Sequence, residues 1–131
     1  MRPVIEPKAF KGRYNDEIKP EDLIIMGDFS GEAVGRMELD KGILGSLWRL
    51  SLETGLGLAV DIRRIMISQK YINECNRADI NPYEQPMDGC LYISRPASEY
   101  HLRRDIAVIG YMTKEKVCRI INGDRESYLG S

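Results

Sequence analysis

His101 is the only histidine in the 131-residue chain. A Ser-His-acid or Cys-His centre could therefore use it only once, and no Gly-x-Ser-x-Gly elbow is present to present a nucleophile. A metal centre needs several converging ligands. Cys75, Cys90 and Cys118 are scattered, without a Cys-x-x-Cys pair, and offer no familiar zinc spacing. His101 reads instead as an exposed residue on a short helix over 97–104. Asp16, Glu17, Glu21 and Asp22 are acidic enough to interest a divalent cation, but an acidic run near a chain end reads first as solvated surface. No catalytic residue and no metal ligand is assigned.

Two glycine-bearing stretches need separate treatment. A phosphate loop of the G-x-x-x-x-G-K-[ST] form is absent. Thr54-Gly55-Leu56-Gly57 follows a helix and precedes a strand, the reverse of the dinucleotide-binding order, so Gly55 reads as a helix stop. Asp40-Lys41-Gly42-Ile43-Leu44-Gly45 is different, because it opens the strongest helix. Free backbone N–H groups, the helix dipole and a lysine would meet there. Asp40, Lys41, Gly42 and Gly45 are the candidate ligand-binding residues, for a small anion. In the competing reading, Asp40 caps the helix and occupies those donors itself.

The elements that must position these residues follow from periodicity. Ile43, Leu44, Leu47, Trp48 and Leu50 recur at three- and four-residue spacing and predict a helix over 42–54. A second helix is expected over 68–78, with Tyr71, Ile72, Cys75 and Ala78 on one face, ended by Asn81-Pro82. Short apolar runs predict strands near 22–27, 57–62, 90–94, 105–111 and 116–121. Ser30 to Met37 reads as a short helix capped by Ser30. Thr113-Lys114-Glu115 is a tight link, so the strands on either side are expected to pair antiparallel. Asn122-Gly123 predicts a hairpin that returns 125–129 onto the preceding strand. Together these give an α+β fold, a mixed sheet covered by helices. The expected core includes Ile25, Leu44, Leu47, Trp48, Val60, Ile72, Leu91, Ile93, Val108 and Ile120.

Length allows one domain with its own core. Residues 1–20 carry three of the six prolines and read as an N-terminal arm or edge segment; residues 21–131 read as the single α+β domain. With 19 basic and 20 acidic side chains the chain has no net field for nucleic acid or an anionic membrane. The adjacent arginines Arg63-Arg64 and Arg103-Arg104 read as solvated faces. No apolar run approaches the roughly 20 residues of a membrane span, and no signal-peptide core is present. Three unpatterned cysteines read as reduced thiols of a cytoplasmic protein.

The order of segments resembles a known family. Asp40 to Trp48, followed by Glu53-Thr54-Gly55-Leu56-Gly57-Leu58, is similar to the glycine-rich helix-to-strand stretch of the aminoimidazole ribonucleotide synthetase-like superfamily. Ile65-Met66-Ile67, Asn81-Pro82-Tyr83, Asp88 to Ile93, Ile106 to Gly110 and Val117 to Gly123 resemble its later motifs in the same order. The match runs from about Asp22 to Leu129 and is similar above all to the hydrogenase maturation factor branch. The chain departs from the pattern at Ile43, which replaces a glycine, and at Asp40 and Lys41, which stand for a threonine and an arginine.

The resemblance implies the fold of the family's C-terminal domain. It also implies a chemistry of ATP-dependent activation of a carboxamide, carbamoyl or related oxygen, in which a separate N-terminal domain carries most ATP and magnesium contacts. The expected function is therefore that of a stand-alone, non-catalytic domain that binds a small anion or a protein partner and needs no cofactor. The alternative is one half of a split ATP- and magnesium-dependent enzyme. A homodimer is expected, because such a domain leaves strand edges and apolar patches bare.

Overall fold

The computed structural model describes residues 12–27, 29, 33–40, 42–65, 67–87, 89–96 and 106–129. Lys41, Ser30 to Glu32 and the 97–104 stretch with His101, Arg103 and Arg104 lie outside the described residues.

Among the described residues eight strands form one mixed sheet: β1 (Gly12–Tyr14), β2 (Leu23–Gly27), β3 (Gly35–Glu38), β4 (Gly57–Asp61), β5 (Cys90–Ser94), β6 (Ile106–Thr113), β7 (Cys118–Asn122) and β8 (Arg125–Leu129). Their order is β1-β3-β5-β2-β6-β4-β7-β8. Every pairing is antiparallel except β4 with β7. Helix α1 (Gly42–Thr54) lies on one face, and helix α2 (Gln69–Arg77) lies farther out.

Side-chain alternation explains where the core sits. Ile24 and Met26, Met37, Leu58 and Val60, Leu91 and Ile93, and Cys118 and Ile120 turn to the helix face and meet Ile43, Leu47 and Leu50 of α1. Each large apolar side chain buried there contributes about 1.5–3 kcal/mol. The Ser46 hydroxyl, also buried, donates to the Glu38 carbonyl at 2.8 Å and ties the helix to the end of β3.

The structure corrects several expectations. Gly35–Glu38 is a strand, not helix: its burial alternates, with Gly35 and Met37 inside. The strands around Thr113-Lys114-Glu115 do not pair with each other, because β4 lies between β6 and β7. The link crosses over the start of β4 at Gly57, where a Cβ would stand 1.8 Å from the Glu115 carbonyl oxygen. Only a glycine lets the chain pass there, and Leu58 then donates to the Val117 carbonyl at 3.0 Å to open the parallel ladder.

Trp48 is 37% exposed rather than core. It sits on the outer side of α1 with Leu52, away from the Ile43-Leu47-Leu50 stripe. Leu44, Ile72 and Val108 are half-buried. Helix α2 buries only Cys75 and packs chiefly on the 3-10 turn Pro82–Glu84, which in turn packs on α1; its expected face does not reach the sheet. Gly12–Tyr14, in the stretch read as an arm or edge segment, is an edge strand paired to β3, and Ile18 enters the core.

Candidate ligand site at the start of α1

The chain turns sharply into α1. Gly42 has φ +80°, and its N–H donates to the Leu39 carbonyl at 3.0 Å. The same carbonyl accepts from Met87 N–H at 2.9 Å, and Leu39 N–H donates to the Gly89 carbonyl at 3.1 Å. Met87 and Gly89 thus lie along the residues that lead into the helix. Asn81 starts the neighbouring 3-10 turn by accepting from Tyr83 N–H at 2.9 Å, with Pro82 at the first helical position.

Of the four candidate residues, Asp40, Gly42 and Gly45 fall on one turn of chain, and Lys41 lies outside the described residues. Gly42 is buried, and a Cβ on it would stand 2.6 Å from the Glu84 carbonyl carbon and 3.0 Å from the Gln85 oxygen. Its missing side chain makes room for the chain's own 3-10 turn. Gly45 is half-buried. Asp40 does not cap the helix: its Oδ1 is enclosed and has no hydrogen-bond partner. Among the described residues no side chain accepts from the first N–H groups of α1. Among the described residues those donors and their share of the helix dipole stay uncommitted.

Beside this turn an open groove of about 720 Å³ runs between α2 and the Pro82–Glu84 turn, lined by Ile72, Asn76, Asp79, Ile80, Asn81 and Tyr83 among others. The sequence signals turns at Asn81-Pro82 but not the groove, which depends on how α2 is held away from the sheet.

The acidic run near the chain start has its own use. Arg95 Nη2 donates to Asp16 Oδ2 and to the Glu17 carbonyl, both at 3.1 Å, while Nη1 donates to buried Asp22. Lys19 N–H adds a bond to Asp22 at 2.8 Å. The Glu17 N–H holds the Asp16 carboxyl below its ordinary range; desolvation opposes it, and Arg95 and then Lys19 add to the lowering. These acids clasp the chain start to the end of β5, and no group of His, Cys, Asp or Glu among the described residues is arranged for a metal ion. Nearby, Tyr14 donates to Glu53 Oε1 at 2.6 Å; burial, then that bond, raises the Tyr14 hydroxyl above its ordinary pKa. Cys75, Cys90 and Cys118 are all unpaired. Among the described residues no helix is long and apolar enough to cross a membrane.

No protein-family model matches the chain, and no curated protein matches it. Solved structures do. The hydrogenase maturation protein HypE in complex with ATP superposes with a TM-score of 0.72 at 13% identity, over 88% of this chain and 52% of that one. HypE in its complex with HypF gives 0.69 at 11% identity, over 86% and 53%. Thiamine monophosphate kinase from Aquifex aeolicus gives 0.59 at 12% identity, over 87% and 54%. The fold is that of the C-terminal domain region of these synthetase-like proteins. The resemblance read from the sequence is borne out at the level of fold. The chain spans about half the length of the solved structures it matches.

Proposed function

We propose that this domain binds a small anion at the opening of α1, with Lys41 as the charged contact, Gly45 giving backbone access and Asp40 moderating affinity. One observation carries the reading: the first turn of α1 keeps its N–H donors free of any side-chain cap among the described residues, although an acid stands beside it at Asp40. Gly42 serves the site by fixing the turn rather than by admitting the ligand. A charge-assisted contact there is worth about 1.5–3 kcal/mol, so Lys41→Ala weakens anion binding roughly tenfold or more. Asp40→Ala removes a like charge and strengthens it. A thermal-shift titration of wild type and both variants with phosphate, sulfate and ATP tests this. Expected is a rise in melting temperature for wild type, a smaller one for Lys41→Ala and a larger one for Asp40→Ala. No shift in wild type with any of the three anions removes the proposal.

A second reading is favoured by the partial overlap with HypE, one of whose structures holds ATP: the domain is one half of an ATP-dependent enzyme whose other half is a separate unit. ATP hydrolysis with magnesium by the purified chain, lost on Lys41→Ala, would support catalysis over simple binding.

A further inference from the structure

The groove between α2 and the Pro82–Glu84 turn has walls of two kinds. Ile62, Ile72 and Tyr83 are half-buried and Ile80 is 42% exposed, so the apolar wall is open to solvent. The polar wall includes Asn76, Asp79 and Glu84. These three side chains are exposed and make no hydrogen bond or ion pair among the described residues. A volume of about 720 Å³ falls within the range of small-molecule sites, where apolar walls hold the ligand and a few polar groups select it.

The sign of the charge decides what the groove selects. Among the described residues no lysine or arginine lines it. Arg63 and Arg64, which follow Ile62 in the chain, contact Asp61 at 3.5 and 3.8 Å, and Arg77, which follows Asn76, is not among the walls. Asp79 and Glu84 therefore stand uncompensated beside apolar surface. Helix α2 also ends here, and the carbonyl end of a helix carries partial negative charge. An anion would be repelled, and a neutral apolar ligand would leave both acids unused. An organic cation matches both walls. Its charge meets the carboxylates while its aliphatic body covers Ile72 and Ile80, and the aromatic wall at Tyr83 suits a cation as well.

We propose that this groove binds a small organic cation, an amine or guanidinium on a short aliphatic chain. Asp79 and Glu84 are its charged contacts, and Ile72, Ile80 and Tyr83 form the apolar bed. The ligand is opposite in charge to that of the site at the start of α1, so the two readings stand or fall separately.

An amide-resolved NMR titration at low salt tests it, with agmatine as the cation, pentanediol as a neutral comparator and glutarate as an anionic one. Asp79 holds left-handed backbone, φ +57°, which asparagine also tolerates. Asp79→Asn thus removes the charge and keeps the turn. Agmatine at millimolar concentration is expected to shift the amides of Asn76, Asp79, Ile80 and Glu84 saturably, and the two comparators are not. Asp79→Asn and Glu84→Gln each weaken agmatine about twofold to fivefold, and the double variant about tenfold. The control Glu115→Gln, at an exposed acid outside the groove, leaves binding unchanged. No saturable shift of these amides in wild type overturns the proposal. So does binding that survives the double variant unweakened, or pentanediol bound as tightly as agmatine. A basic peptide that shifts these amides when agmatine does not assigns the groove to a protein segment and overturns the proposal likewise.

Discussion

Gly42 and Gly55 bracket α1, and both hold left-handed backbone, with φ of +80° and +73°. Their surroundings differ. Nothing lies within 4 Å of a Cβ built on Gly55, whereas one on Gly42 would strike the Glu84 carbonyl carbon at 2.6 Å. Gly55→Ala therefore carries the left-handed backbone cost alone, about 1–2 kcal/mol. Gly42→Ala adds displacement of the Pro82–Glu84 turn, and overpacking of that kind costs about 1–3 kcal/mol more. Urea denaturation of the two variants should show Gly42→Ala clearly the less stable; equal losses would mean that the turn moves aside freely. The difference marks what the sequence can convey at this scale. Gly55 is legible as a helix stop because its reason is local. The reason for Gly42 is a contact with a turn far along the chain, so spacing suggests an opening for a ligand where the structure places backbone. Likewise, the acidic residues Asp16 and Asp22 look like solvated surface until Arg95 is brought to them from the end of β5.

Among the elements, α1 was legible because a full apolar stripe repeats over three turns, and β2, β4 and β5 because short apolar runs are bounded by turn residues. The β3 segment reads as helix because Ser30 offers an N-cap, despite two glycines that disfavour one, while the signal that decides it is pairing with β5, a long-range fact. The periodicity of helix α2 is legible but the use of its face is not: Tyr71 and Ala78 are exposed, and the helix rests on the 3-10 turn rather than on the sheet. That placement has a dynamic consequence. A nine-residue helix is marginal by itself, and one buried residue gives little tertiary support. Its start depends on Ser68, which accepts from Tyr71 N–H at 3.1 Å. Helix α2 should therefore open locally while α1 opens only with the whole domain. Native-state hydrogen exchange should find α2 amides far less protected than those of Leu47 to Leu50. Ser68→Ala should lower α2 protection by about 1 kcal/mol and leave the global unfolding midpoint nearly unchanged. Equal protection in both helices would refute this division.

For the molecule as a whole, strand order carries the strongest consequence. Along the chain, β2 is followed by β3, β4 by β5, β5 by β6 and β6 by β7, yet none of these successive pairs are neighbours in the sheet. Among the described strands only β7 and β8 pair locally, through the turn at Gly123-Asp124. The sheet therefore cannot assemble by successive hairpins. Strand β6 needs β2 on one side and β4 on the other, and β4 then needs β7 laid parallel after the link has crossed Gly57. Each step closes a long loop before its contacts stabilise anything, and that entropy cost slows folding. The helix α1 and the β7–β8 hairpin can form early, but neither fixes the centre of the sheet. Stopped-flow dilution from urea should show refolding on a timescale of about milliseconds to seconds, as for other domains dominated by non-local pairing. Val60→Ala and Ile109→Ala, at the β4 and β6 positions that the two sides of the sheet must share, should slow folding more than Ile43→Ala at the helix start, per unit of stability lost. Submillisecond refolding, or a folding rate sensitive only to the α1 substitution, would show that the sheet centre forms by a more local route than its strand order requires.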